Sequence, residues 1–223
     1  MCTIHISGQD EALWRSHERR AARCHRPHLL AGLLERGHSV TALVRDPAKL
    51  PVRGAGLTVV QGDVLDRDAL GHLVKGADAV VSALGPNGGQ PQLHTRTAQS
   101  LIQLMQATGP RRFVGVSGAG VDAPGDQKST GAKVISFLIQ RLGGDTAKDK
   151  PAELALWLSS GLDWILVRPP RLMDGAATGR IEHHAHRSTA STKIARADLA
   201  AFVVEVVEQG MYAQQAPFVA NAR

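Results

Sequence analysis

From residue 29 onward, short apolar runs alternate with longer stretches whose apolar residues recur every three or four positions. Residues 29–36 read as the end of a helix, with Gly37 as its C-terminal stop. A β-branched run at 40–44 follows at once and a second comes at 57–60; runs this short and apolar suit strands covered on both faces. Residues 66–75 predict a short helix, opened by Asp66, whose carboxylate can cap free N–H groups, and closed near Gly76. A buried strand at 79–83 and a turn at 84–90 come next. Over 93–108, Leu93, Ala98, Leu101, Ile102, Leu104 and Met105 form the stripe of an amphipathic helix that Gly109 and Pro110 end. Strands at 112–117 and 164–167 flank a long connection with a helix around 152–158. The remainder is less regular: a loop rich in His and Ser, a helix from about 198 to 208, and a last strand at 217–220.

Strands that alternate with helices are joined by crossovers, which makes them parallel, so the pattern predicts the α/β class with a doubly wound sheet. A chain of 223 residues, 43% hydrophobic and 21% charged, has the size and balance of one domain over 1–223. The longest apolar runs, 79–84 and 164–167, are strand length, and the N-terminus has no apolar signal segment. A cytoplasmic protein without a membrane partner is expected. Cys2 and Cys24 form no CxxC pair, which suits a reducing compartment.

The formal charge of +6 raises nucleic acid as a partner, but only 4% of residues are aromatic and no helix-turn-helix or RNA-binding signature is present. The basic excess is dispersed apart from Arg15, Arg19, Arg20, Arg23 and Arg26. A cationic field that attracts phosphorylated cofactors accounts for the same charge, so no nucleic-acid partner is expected.

Candidate chemistry sits where strands end. Arg45 follows 40–44, where a guanidinium can pair with a ribose 2′-phosphate, and Asp63 follows 57–60, where a carboxylate can meet an adenine edge or form a turn after Gly62. Ser117 opens a glycine-rich exit at 117–120, either as a reacting-site hydroxyl or as a group that satisfies the turn. His183, His184 and His186 crowd a Ser/Thr-rich loop without a Cys or Asp cluster, and Cys24, His25 and His28 suggest zinc even less, so no metal is expected. Trp157 and Trp164 read as packing residues.

The segments ERGHSVTALVRDP, VVQGDVLD, AVVSALG, RFVGVSGAG, SSGLDWILVRPPRLMDG with Thr178-Gly179, and KIARADLA, in that order, resemble the atypical short-chain dehydrogenase/reductases of the NmrA-like and biliverdin/flavin-reductase-like group. The resemblance covers residues 29–221 and implies a Rossmann-type NAD(P)-binding domain with cofactor across the carboxyl ends of the strands. It implies that Arg45 contacts the 2′-phosphate, favouring NADP (NADPH) over NAD, and that Asp63 and Val64 frame the adenine. Leu84 and Gly85 would line the ribose and pyrophosphate path, Ser117 would sit beside the nicotinamide as the catalytic candidate, and Pro169 and Pro170 would shape its pocket. Asp198, in the IARADLA turn, reads as a helix cap. The implied activity is hydride delivery from NADPH to a small-molecule acceptor, planar like a flavin or quinone; the alternative is a non-catalytic NAD(P)-binding redox sensor.

Two departures from the family pattern stand out. The family opens with a strand and a glycine-rich turn such as GATG, whose backbone approaches the pyrophosphate at a helix N-terminus. Here Gly8 is the only glycine among residues 1–28, and residues 14–27 read WRSHERRAARCHRP. Either residues 3–8, TIHISG, form a first strand and turn ahead of a basic helix, or a compensated shift of reading frame between codons 10 and 30 has replaced the turn. Trp14 bears on the second reading, since TGG read one base later begins a glycine codon. The second departure is the Tyr-x-x-x-Lys pair that supplies a proton in many relatives. The sole tyrosine is Tyr212, and the nearest lysines, Lys148 and Lys150, read as a solvated helix start. Hydride transfer would then draw its proton from water.

Overall fold

The computed structural model describes residues 2–9, 26–85, 90–128, 130–142 and 144–223. Six strands form the main sheet: β1 (Cys2–Gln9), β2 (His38–Val44), β3 (Leu57–Gln61), β4 (Ala79–Ser82), β5 (Arg112–Val116) and β6 (Asp163–Val167). Their spatial order is β3-β2-β1-β4-β5-β6, the order of two βαβ halves wound outward from a central crevice. β2 pairs in parallel with β3, and β4, β5 and β6 pair in parallel with one another, so Val44, Gln61, Ser82, Val116 and Val167 end on one common edge.

Helices cover both faces, as the unbroken apolar runs of the central strands require. On one face α1 (Arg26–Glu35) and α6 (Arg196–Gln209) bring Leu29, Leu30, Leu33, Phe202 and Val203 against Val40, Ala42 and Val44 of β2. On the other, α2 (Arg67–Val74), α3 (Leu93–Thr108) and α5 (Gly144–Ser159) bring Leu70, Leu101 and Trp157 against Leu43 of β2 and Phe113 of β5. Neighbours along β2 thus serve opposite cores, the two-residue period of a strand buried on both sides. Trp157 and Trp164 are buried as expected, and Trp157 stacks on Phe113 with ring centroids 3.8 Å apart.

Local signals explain the helix ends. Asp66 caps α2, its carboxylate accepting from Asp68 N and Ala69 N at 2.9 and 3.2 Å. α3 covers the predicted span and ends at Gly109, whose φ of 116° is open to glycine and whose N–H returns to Met105 O.

Three features differ from the sequence-based expectation. β3 is an edge strand and only half buried, because among the described residues no strand pairs with it beyond β2. The long connection after β5 holds an additional helix, α4 (Thr130–Leu142), and the His/Ser-rich stretch contributes β8 (Ile181–His184) and β9 (Lys193–Ala195). β9 pairs with β7 (Arg171–Met173) and β8 pairs with β10 (Phe218–Asn221), two small sheets at the exit of β6.

The third difference concerns β1. A strand covers 3–8, as one of the two readings of this segment had it, in the slot where a first strand belongs, but it runs antiparallel to β2 and β4. Cys2 pairs with Val44 and Gln9 with His38, so β1 leaves the sheet at the amino edge. A slot bounded by open N–H and C=O groups on both sides can be filled from either direction. The turn expected after this strand therefore falls on the wrong edge for a nucleotide. The proposed frame shift concerns a stretch of which residues 10–25 lie outside the described residues.

Candidate functional site

The carboxyl edge of the sheet collects most of the residues singled out above. At the exit of β2, Arg45 is exposed and its backbone carbonyl accepts from Gln61 Nε2 at 3.3 Å. The rest of its loop is occupied internally. Asp46 caps the short 3-10 turn Pro47–Lys49 and pairs with Lys49 Nζ at 2.9 Å, whose hydrogen bond holds the Asp46 carboxyl below its usual range. Arg53 donates to the carbonyls of Pro47, Leu50 and Val52. Among the described residues of this loop, Arg45 is the cation whose side chain is left without a partner.

At the exit of β3, Gly62 donates to Val44 O at 2.9 Å, and a Cβ there would lie 2.9 Å from both Ala69 Cβ and Leu43 Cδ1. Only glycine lets this turn pass so close to α2. Asp63 Oδ1 accepts from Leu65 N at 2.9 Å and Asp63 O accepts from Asp66 N at 3.0 Å, so the carboxylate shapes the turn; Val64 beside it is buried. β4 delivers buried Leu84 and half-buried Gly85 to the same edge.

The exit of β5 is the most elaborate. Ser117 N donates to Val167 O at 2.7 Å and Ala119 N to Pro169 O at 3.0 Å, which extends the pairing with β6 past the strand ends. Ser117 is thereby seated beside buried Pro169 and half-buried Pro170, and its Oγ is buried with no partner among the described residues. An unpaired buried hydroxyl is costly, and a polar ligand atom is one way to satisfy it.

Immediately behind Ser117 lies a polar cluster. Lys150 is buried rather than solvated as the sequence led us to expect: Nζ donates to Val116 O at 3.2 Å, to Glu153 Oε2 at 2.8 Å and to His94 Nδ1 at 2.9 Å. All three of its N–H bonds are used. Burial and the neighbouring ammonium push the His94 imidazole down to a pKa of about 3, so it is neutral and accepts from Lys150. Asp149 accepts from the backbone N of His94 at 2.7 Å and of Thr95 at 3.1 Å, capping α3 from α5. Lys148, by contrast, is exposed as expected. The local signal for this cluster was Lys150 and Glu153 three apart on one helix face; His94 carried none.

Two further buried cations hold the loop that follows Ser117. Arg168 donates to Asp126 through both Nη atoms at 2.6 and 2.7 Å, to Ala216 O at 2.6 Å and to Val121 O at 2.8 Å, with its guanidinium 3.7 Å above the Phe218 ring. Lys128 Nζ donates to Ala119 O, Val121 O, Asp122 Oδ1 and Ser136 Oγ at 2.7–3.1 Å.

Other candidates fall elsewhere. Asp198 is not a helix cap: α6 starts two residues earlier, at Arg196, and the Asp198 carboxylate accepts from Thr178 N, Gly179 N, Thr178 Oγ1 and Asn221 Nδ2. These bonds outweigh its burial and hold its pKa below the usual range, so it latches the Thr178-Gly179 loop to β10. Tyr212 OH lies 2.5 Å from His183 Nδ1, beside Phe202, and takes no part in the cluster around Ser117. His184 Nδ1 accepts from His186 N and Arg187 N. Cys24 and His25 lie outside the described residues, and among the described ones no group of three His, Cys, Asp or Glu is placed to hold a metal ion. Among the described residues no helix is long and apolar enough to cross a membrane.

The edge fits a dinucleotide at both ends, with an unpaired cation at the tip of β2 and an orphaned hydroxyl beside Pro169. Its middle departs, since the exit of β1 lies on the opposite side.

Comparison with known proteins agrees with the expected family and α/β fold. A family model described as NAD(P)H-binding matches residues 27–210. The protein YwnB of Bacillus subtilis (strain 168) is 36% identical over 86 residues, 39% of this chain and 38% of that one. The (4-alkanoyl-5-oxo-2,5-dihydrofuran-3-yl)methyl phosphate reductase of Streptomyces griseus subsp. griseus is 32% identical over 144 residues, 65% of this chain and 43% of that one. The matches therefore span less than half the length of either curated relative. Among solved structures, that of a candidate NADH-flavin reductase from Streptococcus pneumoniae TIGR4 is 25% identical with a TM-score of 0.67, covering 89% of this chain and 94% of its own.

Proposed function

The chain belongs to the NAD(P)H-binding family, and from that premise we propose that it is an NADP-dependent reductase delivering hydride from NADPH to a small planar acceptor such as a flavin or quinone. The observation that carries this reading is the Ser117 hydroxyl at the exit of β5, buried and without a partner among the described residues, in the stretch whose Ala119 N donates to Pro169 O. Arg45 would hold the 2′-phosphate, Asp63 and Val64 would flank the adenine, Leu84 and Gly85 the ribose, and Pro170 would complete the nicotinamide wall. Bound NADPH supplies the hydride.

The chain's own contribution is orientation. Lys150 fixes the Val116 carbonyl, and with it the direction of the next residue, so the Ser117 hydroxyl can donate to a nicotinamide or acceptor oxygen. Lys150 has no N–H left to give a substrate, the His94 imidazole is neutral, and Tyr212 is committed to His183. Among the described residues, then, the edge has no acid matched to a substrate proton. Acceptors that take hydride first and a proton from water afterwards suit such a site, and flavins and quinones are of that kind. The expected partners are small molecules in the cytoplasm, with neither nucleic acid nor membrane.

A second reading, a redox sensor that binds NAD(P) without turnover, is favoured by the commitment of Tyr212 and by the direction of β1. Fluorescence titration with NADPH and NADH, followed by NADPH oxidation assays with flavin and quinone acceptors, separates the two. Tighter NADPH binding with turnover is expected. Binding with no turnover on either acceptor class replaces the reductase by the sensor.

A further inference from the structure

The two short strands β7 and β9 carry a charge arrangement that their own stability does not explain. Pro169 and Pro170, whose rings fix φ, lead the chain out of β6 into β7, and Arg171 N anchors its start by donating to Thr192 O at 3.2 Å. The strands then run in parallel with Arg171 opposite Lys193, Leu172 opposite Ile194 and Met173 opposite Ala195. Side chains alternate between the faces of such a ladder. Ile194 is buried in the core with Leu172 packed against it, so Arg171 and Lys193 share the outward face, and both are exposed.

One residue beyond the far end of this ladder the charges are complementary: Arg196 Nε donates to Asp174 Oδ1 at 2.8 Å. At the near end, next to Pro170, both members are cations. Among the described residues no carboxylate pairs with either one, and even Glu182, whose Oε1 accepts from Ser191 N at 2.9 Å, forms no ion pair with Lys193. Neighbouring strands lie about 4.8 Å apart, so like charges placed side by side repel and weaken the pairing. An anion seated between the two cations turns that repulsion into attraction. A guanidinium beside an ammonium suits a phosphate in particular, the first by its forked donors and the second as a compact charge.

The place of this pair gives the anion a role. Val167 O, which accepts from Ser117 N at 2.7 Å, lies four residues before Arg171, at most about 13 Å of extended chain. The two cations therefore flank the stretch at 117 and 169 where the reductase reading puts the acceptor.

Resting on that placement of the acceptor, we propose that Arg171 and Lys193 form an anion subsite for the phosphate of a phosphorylated planar ligand, so that flavin mononucleotide is bound in preference to riboflavin. The ring lies at the Ser117 edge, and its flexible phosphorylated side chain reaches across to the two long cationic stems. The unfavourable pairing in the free protein is kept because the ligand resolves it.

Quenching of flavin fluorescence by the whole protein, with and without NADP, compares two probes that share one ring and differ in the phosphate. Flavin mononucleotide is expected to bind at least about tenfold tighter than riboflavin at low ionic strength, with an advantage that shrinks as salt is raised. Combining Arg171→Gln with Lys193→Gln should weaken flavin mononucleotide to the level of riboflavin while circular dichroism stays unchanged. Lys193→Glu sets opposite charges across the ladder, as Asp174 and Arg196 are, and should raise the melting temperature while losing the same preference. Equal affinity for the two flavins, no binding of either, or a preference that survives these substitutions overturns the proposal. A loss of NADPH affinity in the double variant as large as the loss for flavin mononucleotide assigns the two cations to the cofactor's phosphates and overturns it as well. A preference for the phosphorylated flavin without oxidation of NADPH leaves the subsite standing and removes the reductase reading instead.

Discussion

Asp126→Asn should destabilise this protein more than its position in a surface-following loop suggests. The Arg168 side chain has no solvent exposure and that of Asp126 only 9%, and the two carboxylate oxygens meet the two Nη atoms at 2.6 and 2.7 Å. Asparagine keeps the shape and can still accept from Ala123 N, as Asp126 does at 2.9 Å, but it brings no charge. What remains for the guanidinium are the carbonyls of Ala216, Val121 and Ala185 and the face of Phe218, none of which neutralises it. Removing one partner of a buried ion pair costs about 3–5 kcal/mol, chiefly because the other charge stays buried.

For a chain of 223 residues the unfolding entropy is on the order of 0.5 kcal/mol per kelvin, so the melting temperature should fall by about 6–11 °C. Thermal melts followed by circular dichroism at neutral pH measure this directly. The double variant Asp126→Leu, Arg168→Met should be less damaged than the sum of its single changes, since it removes the desolvated charge along with its partner. A fall of less than about 2 °C for Asp126→Asn, or strict additivity in the double variant, would refute the assignment of this pair as the anchor of the loop after Ser117.

Acidification probes His94. Folded, the imidazole takes a proton only near pH 3, whereas unfolded it does so near 6.5. Between those values the unfolded chain binds the extra proton, so its stabilising contribution is complete above 6.5 and is lost progressively as pH falls toward 3. Urea unfolding at pH 7.5 and 5.0 should differ by about 2 kcal/mol from this group, a difference that His94→Gln should remove; an undiminished difference in the variant contradicts the assignment. Gly115→Ala places a Cβ 2.8 Å from Phe113 Cε1 and 2.9 Å from Leu166 Cδ2, and Phe113 cannot yield because it stacks on Trp157. Chemical denaturation should show a loss of about 1–3 kcal/mol, and an unchanged midpoint would mean the β5 and β6 core is looser than it looks.

What could be read from the chain beforehand follows from which interactions are local. Asp66 announces α2 because capping acts within one turn, and Gly109 ends α3 for the same reason. The half-burial of β3 was not legible, because an apolar run carries no mark of whether another strand will lie beyond it. The direction of β1 was hidden more deeply still. The alternation of residues 3–6 reads the same forwards and backwards, and direction depends on where the chain goes next rather than on the strand itself.

The site divides along the same line. That Arg45, Asp63, Leu84, Ser117 and Pro169 would share one edge was legible because each follows a strand, and topology alone brings strand exits together. Lys150 was misjudged because only Glu153, among its three acceptors, is a sequence neighbour; Val116 O comes from β5 and His94 from α3. A lysine is ordinarily a surface residue, and nothing within its own helix overrides that prior. Lys128 and Arg168 likewise meet partners far away in sequence, both approaching the ring of Phe218. Beside their side-chain partners, these three buried cations donate to main-chain carbonyls at 116, 119, 121, 185 and 216, groups no sequence pattern reveals as unpaired. Residues that can touch a ligand lie where strands stop, whereas the residues that hold them still are recruited from wherever the fold leaves a carbonyl in need of a donor. Substitution of Lys150, Lys128 or Arg168 should accordingly disturb the geometry at Ser117 although none of the three is hydrogen-bonded to its hydroxyl.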